Sequence, residues 1–66
     1  MFDLVGVDGN AFCVMGYVLG AMRKCKFSKA EQDAYKKNAM SSDYAHLINV
    51  SIEMIDKCNE KYEDSI

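Results

Sequence analysis

The chain has 66 residues, eight Lys or Arg against ten Asp or Glu, and a formal net charge of −2, and half of its residues are hydrophobic. That length holds one small domain, near the lower limit for a core that stabilises itself, and the apolar content with no Pro excludes a disordered or linker-rich chain. The longest apolar stretch, Ala11 to Met22, is too short to cross a bilayer, and Asp3 and Asp8 stand where a signal peptide would carry basic residues.

Ala, Met, Lys and Glu are plentiful, while Val, Ile and Thr are sparse beyond the first residues. This balance favours helix, and local contacts suit so short a chain. The expectation is an all-α, three-helix domain over residues 1–66 with a short extended N-terminal arm over 1–8.

Residues 2–7 are the only strand-like segment, with a two-residue alternation in which neither side is cleanly polar. A single strand has no partner in this chain. It is read as an arm laid across the helices, in preference to an open edge that pairs with another copy. Asp8-Gly9-Asn10 then turns the chain into a first helix over about 9–25. Asp8 is its expected N-cap, with Val7 and Phe12 in the positions of a hydrophobic staple. Phe12, Val14, Met15, Val18 and Leu19 make this helix apolar nearly all round, so it should be the central one. Arg23, Lys24 and Lys26 suit its negative end.

Ser28-Lys29-Ala30-Glu31 fits a capping box and opens a second helix over about 29–40, the weakest amphipath of the three. Ser41-Ser42-Asp43 supplies caps for a third helix over about 43–62. Along it Leu47, Ile48, Ser51, Met54, Ile55, Cys58 and Tyr62 recur on one face. Residues 63–66 are expected to fray.

Chemistry-bearing residues are few. Cys13, Cys25 and Cys58 are odd in number and lack a CxxC pair, which fits buried reduced thiols in a cytoplasmic protein better than a disulfide scaffold. Asp8-Gly9-Asn10 is followed by Ala11, Phe12 and Cys13, so the ligands of a calcium loop are missing. His46 is the single histidine, with Asp43 one turn before it to orient the ring, but no nucleophile or oxyanion donor is identifiable beside it. No two zinc ligands have local spacing. The expected catalytic, metal and cofactor sets are therefore empty.

Gly16 and Gly20 share one face of the first helix, and each costs roughly 1 kcal/mol relative to Ala. Close approach of another backbone within the chain is the expected return, with a homodimer face as the alternative. Charge is uneven. Arg23, Lys24, Lys26, Lys29, Lys36 and Lys37 give residues 23–37 a net charge of +4, while residues 38–66 carry −4. Gln32, Lys36 and Asn38 on the second helix could imitate the recognition helix of a helix-turn-helix, although an acidic chain opposes phosphate binding.

Asp8-Gly9-Asn10-Ala11-Phe12 with Met15-Gly16, and later Ser42-Asp43-Tyr44 with His46-Leu47, resemble a loose group of short uncharacterised open reading frames of bacterial and phage genomes. Many of those frames have Gly where this chain has Ser42. The resemblance implies an intracellular setting and an accessory role, and it supplies no site residues. The leading expectation is a small non-enzymatic module that binds another protein, of the phage or prophage modulator kind, since complementary charge patches steer protein association. A nucleic-acid-binding helical domain using the six basic residues is the alternative, and an enzyme built on His46 and a cysteine is the least favoured reading. No membrane association is expected.

Overall fold

The computed structural model describes residues 2–64, with side chains described as far as Lys61. Three helices follow one another: α1 (Ala11–Lys24), α2 (Lys29–Ala39) and α3 (Tyr44–Asp64). α1 and α2 both pack on α3 and touch each other, so the chain is the small all-α three-helix domain its composition suggested. No strand occurs among the described residues.

The start of α1 differs from the expectation. Asn10, not Asp8, is the N-cap, and its side chain accepts from the Phe12 N–H at 2.9 Å. Asp8 makes the preceding turn by accepting from the Asn10 N–H at 2.9 Å. The shift keeps Gly9 out of the helix, where it would be a poor residue. It also puts Phe12 in solvent, 74% exposed, so the staple with Val7 does not form.

α1 buries Val14, Met15, Val18, Ala21 and Met22, a single helical stripe, and is not buried all round. At its far end Phe27 N–H reaches Met22 C=O at 2.9 Å and Lys26 N–H reaches Arg23 C=O at 3.0 Å. These bonds form a Schellman motif, with Lys26 in the left-handed position at φ 63° where glycine is usual. Lys61 Nζ sits 4.2 Å above the centre of the Phe27 ring, which closes this end of the bundle.

α2 begins as predicted, with Glu31 N–H donating to Ser28 Oγ at 3.1 Å. It contributes Tyr35 and Ala39 to the core. α3 is capped by Asp43, which accepts the His46 N–H at 3.0 Å. Its inward face holds Leu47, Ser51, Ile55 and Cys58, with Ile48 and Met54 partly buried, as its spacing predicted. The side chain of Tyr62 lies outside the described residues. The backbone remains helical through 63 and 64, where fraying was expected, and 65–66 lie outside the described residues. The fully buried Ser51 hydroxyl meets Tyr35 Oη at 2.7 Å, so this polar pair ties α2 to α3 without an unpaired buried group.

The N-terminal segment is an arm, not a strand. Val7 N–H bonds to Leu4 C=O at 3.1 Å, closing a tight turn with Gly6 at φ 87°. Phe2, Leu4 and Val7 pack against the core. The Asn59 side chain clasps the Phe2 backbone from both sides, accepting from its N–H at 2.7 Å and donating to its C=O at 2.9 Å. Asp3 N–H donates to Tyr17 Oη at 2.9 Å. The arm therefore satisfies its backbone on α1 and α3 side chains.

Candidate functional site

Two surfaces stand out from the ordinary exterior, and they lie in different parts of the bundle. The first is apolar. At the end where α1 begins, α2 finishes and α3 begins, each helix terminus exposes one large hydrophobic side chain. These are Phe12, Met40 at 55% and Tyr44 at 50% exposure. All three line one open groove of about 260 Å³, whose floor is Ala11, Met15, Ala39 and Leu47. Helix ends normally carry polar caps that satisfy orphan backbone groups. Here the caps, Asn10 and Asp43, are present beside the exposed hydrophobic residues. Tyr44 Oη donates to Gly9 C=O, which pins the α3 start to the α1 entry turn and sets one wall.

Taking a whole aromatic side chain as about 150–250 Å², the three residues expose roughly 300 Å² together, the size of the largest patch on an ordinary small monomer and one often used in binding. Exposed Val5 and Ile52 lie outside this groove and are unremarkable singly.

The second surface is basic. Arg23, Lys29 and Lys36 line a concavity of about 370 Å³ between α1 and α2, together with Leu19, Gln32 and Asp33. Among the described residues none of these three cations forms an ion pair. The other three predicted members do not join them there. Lys24 lines a separate concavity with Phe2, Gly16 and Tyr17. Lys26 lies in the Schellman turn, its C=O accepting from Lys61 Nζ at 3.4 Å. Lys37 is exposed on α2 outside the concavity. The expected six-residue surface is thus a cluster of three plus dispersed charges.

The polar residues expected to face base edges are also engaged within the chain. Gln32 Nε2 donates to Phe27 C=O at 3.1 Å. Asn38 meets His46 Nε2 through both its C=O, at 3.0 Å, and its Oδ1, at 3.2 Å. Lys36 alone of that trio makes no side-chain bond within the chain, and neither amide is free to pair a base edge with both its oxygen and its nitrogen.

His46 is occupied differently from the expectation. Asp43 binds its backbone N–H and not its ring. The ring Nε2 faces the Asn38 carbonyl, an obligate acceptor, so this nitrogen carries the proton. Ser41 Oγ lies 3.4 Å from Nε2 but donates to the same carbonyl at 2.6 Å. In this tautomer Nε2 cannot take the Ser41 proton, and the arrangement closes the α2–α3 corner.

The cysteines divide two to one. Cys25 and Cys58 are buried, with Cys25 Sγ donating to Cys58 C=O at 3.2 Å. Burial, with the neighbouring Cys25, pushes the Cys58 thiol up to about 11, so it stays protonated and inert at neutral pH. Cys13 is exposed, contrary to the expectation of three buried thiols, because it lies opposite the α1 stripe. Among the described residues no three His, Cys, Asp or Glu side chains group to hold a metal ion.

The glycine expectation fails. A Cβ at Gly16 or Gly20 would meet no atom within 4 Å, so neither position admits a close neighbour within the chain. They floor a shallow concavity beside the arm instead.

No protein-family model, curated protein or solved structure matches this chain. Fold and surface together define a small three-helix domain with an apolar groove at one end. No described helix is long and apolar enough to cross a membrane.

Proposed function

We propose that this chain is a small non-enzymatic protein-interaction module that binds its partner through the groove of Phe12, Met40 and Tyr44. The observation that carries this reading is the convergence of three exposed hydrophobic side chains, one from each helix terminus, on a single groove. Isolated exposed hydrophobic residues need no explanation, whereas a contiguous patch of this size is often one used in binding. A cytoplasmic setting belongs to the same proposal, supported by the buried, unpaired Cys25 and Cys58. The phage or prophage modulator role rests on the resemblance alone.

The test is affinity capture from the native host with the wild-type chain, a Phe12→Ser/Met40→Ser chain and an Arg23→Gln/Lys29→Gln/Lys36→Gln chain, each checked for helical circular dichroism. The proposal expects a partner retained by the wild type and the basic-groove variant and lost from the apolar-groove variant. Loss only from the basic-groove variant would contradict it.

A second reading has its own observation. Arg23, Lys29 and Lys36 converge without ion pairs, which suits contact with a nucleic-acid phosphate backbone. Binding of this kind would weaken log-linearly with salt, each phosphate contact adding roughly 0.9 to the slope on duplex DNA. Gln32 and Asn38 are engaged within the chain, so sequence preference should be slight.

A further inference from the structure

We infer that the concavity between α1 and α2 binds one compact dianion of the phosphomonoester class, carried by a small molecule, and does not track a phosphodiester backbone. None of its walls belongs to the apolar groove, so this inference stands or falls apart from the interaction reading. The first argument is charge left unspent within the chain. Lys29, Gln32, Asp33 and Lys36 recur at i, i+3, i+4 and i+7 along α2 and share one face, and Arg23 joins them from α1. Asp33 has the helical spacing that pairs with Lys29 and with Lys36, yet among the described residues it bonds neither. The Arg23 guanidinium likewise has no partner among them. Three cations against one carboxylate leave a local net charge of +2. A phosphomonoester carries about −1.5 to −2 at neutral pH, which matches.

The second argument is the set of donors. Arg23 offers a planar fork that can hold two oxygens of one phosphate, and the Lys29 and Lys36 ammonium groups add point charges. Gln32 adds a positioned donor. One N–H of its Nε2 is held by Phe27 C=O at 3.1 Å, which leaves the other N–H uncommitted at the same wall. Lys29 is the first residue of α2, so the positive end of that helix lies at the concavity as well.

The third argument is extent. The concavity holds about 370 Å³, at the low end of the roughly 300–1,000 Å³ of small-ligand pockets. A duplex track instead needs cations spaced along several successive phosphates. The other basic residues do not prolong this cluster, since Lys24 lines another concavity, Lys26 lies in the Schellman turn and Lys37 stands outside. Asp33 in the wall and a chain charge of −2 oppose a polyanion, whereas a single dianion is offset by the three cations beside it.

The experiment follows the full chain by titration calorimetry and backbone amide NMR at fixed ionic strength, with glycerol phosphate, sulfate and a short DNA duplex as probes. Glycerol phosphate should bind saturably, one per chain, with shifts at Arg23, Lys29, Gln32 and Lys36. Its affinity should fall about tenfold from about pH 8 to about pH 5, because the dianion takes up a proton near about pH 6. Sulfate, doubly charged throughout, should show no such fall. Arg23→Gln/Lys36→Gln should weaken glycerol phosphate at least about tenfold through lost charge-assisted bonds, while Lys24→Gln/Lys37→Gln should leave it within about twofold. Arg23→Lys keeps the charge and removes the fork, so its affinity should fall between the two, and every variant should retain the helical circular dichroism. Unsaturable shifts spread over all six basic residues would mean an adventitious ion only and overturn the inference. Binding that survives Arg23→Gln/Lys36→Gln would remove this concavity as its site. Tighter binding of the duplex, displacing glycerol phosphate, would put the phosphodiester reading in its place.

Discussion

The two ends of the bundle use similar residues to opposite effect. Where α1 passes into α2, Phe27 is partly buried under Lys61, and the Schellman bonds leave few backbone groups open. Where α1 begins and α3 starts, Phe12, Met40 and the ring of Tyr44 are large and hydrophobic like Phe27, but half or more of each is exposed. Both ends are capped and hydrogen-bonded, so the difference is not one of folding quality. It lies in whether the chain supplies a cover. One end is finished by the protein itself, and the other leaves Phe12, Met40 and Tyr44 exposed.

That contrast is broken most forcefully by truncating one residue at each end. Met22 is fully buried and accepts the Phe27 N–H at the closed end, so Met22→Ala should destabilise the fold by about 2–5 kcal/mol in chemical denaturation. Phe12→Ala should stay within about 0.5 kcal/mol, because little of its surface is buried. Equal losses would mean that the groove is part of the core.

Alkali sharpens the same distinction through the thiols. Cys58 is held up to about 11 from 9.0 by burial and Cys25. Burial, chiefly, and Cys58 also raise Tyr35, against a lowering bond to Ser51. Both groups are neutral in the folded and unfolded chain below about pH 9, so their contribution is complete there. Above that pH the unfolded chain loses protons that the folded chain retains, and stability should fall as pH rises through about 11. Cys58→Ala should shallow this loss without removing the Tyr35 part. Under native conditions at neutral pH, a thiol reagent should modify Cys13 alone.

A smaller effect is expected at Lys26. Its left-handed backbone suits glycine, so Lys26→Gly should stabilise the closed end by about 1 kcal/mol, measured by thermal unfolding. Gly16→Ala and Gly20→Ala should each stabilise by about 0.5–1 kcal/mol, since the added methyl meets open space. Destabilisation by either would restore the close-approach reading.

The parts legible in the sequence were those where periodicity and caps agreed. The α3 stripe of Leu47, Ser51, Ile55 and Cys58 leaves one choice of buried face, and Ser28 with Glu31 marks one helix start. α1 gave no such choice, because its apolar residues occupy nearly every direction around the axis and composition does not say which face turns inward. Phe12 and Cys13 were misplaced for that reason. Asp8 and Asn10 are equivalent caps by residue type, and the Tyr44 bond to Gly9, distant in sequence, accompanies the Asn10 start. Of the six basic residues, Arg23, Lys29 and Lys36 come together only through the angle between α1 and α2, which charge counting does not contain. The groove itself depends on three helix termini meeting, and no local pattern announces that.

The most direct test of the groove is photocrosslinking in the native host, with a benzophenone amino acid placed singly at positions 12, 40 and 30. Position 30 is exposed on α2, away from the groove walls. Positions 12 and 40 should yield an adduct with the same protein, and position 30 should yield none. An adduct from position 30 alone, or no adduct from positions 12 and 40, would contradict the assignment of this groove as the interaction surface.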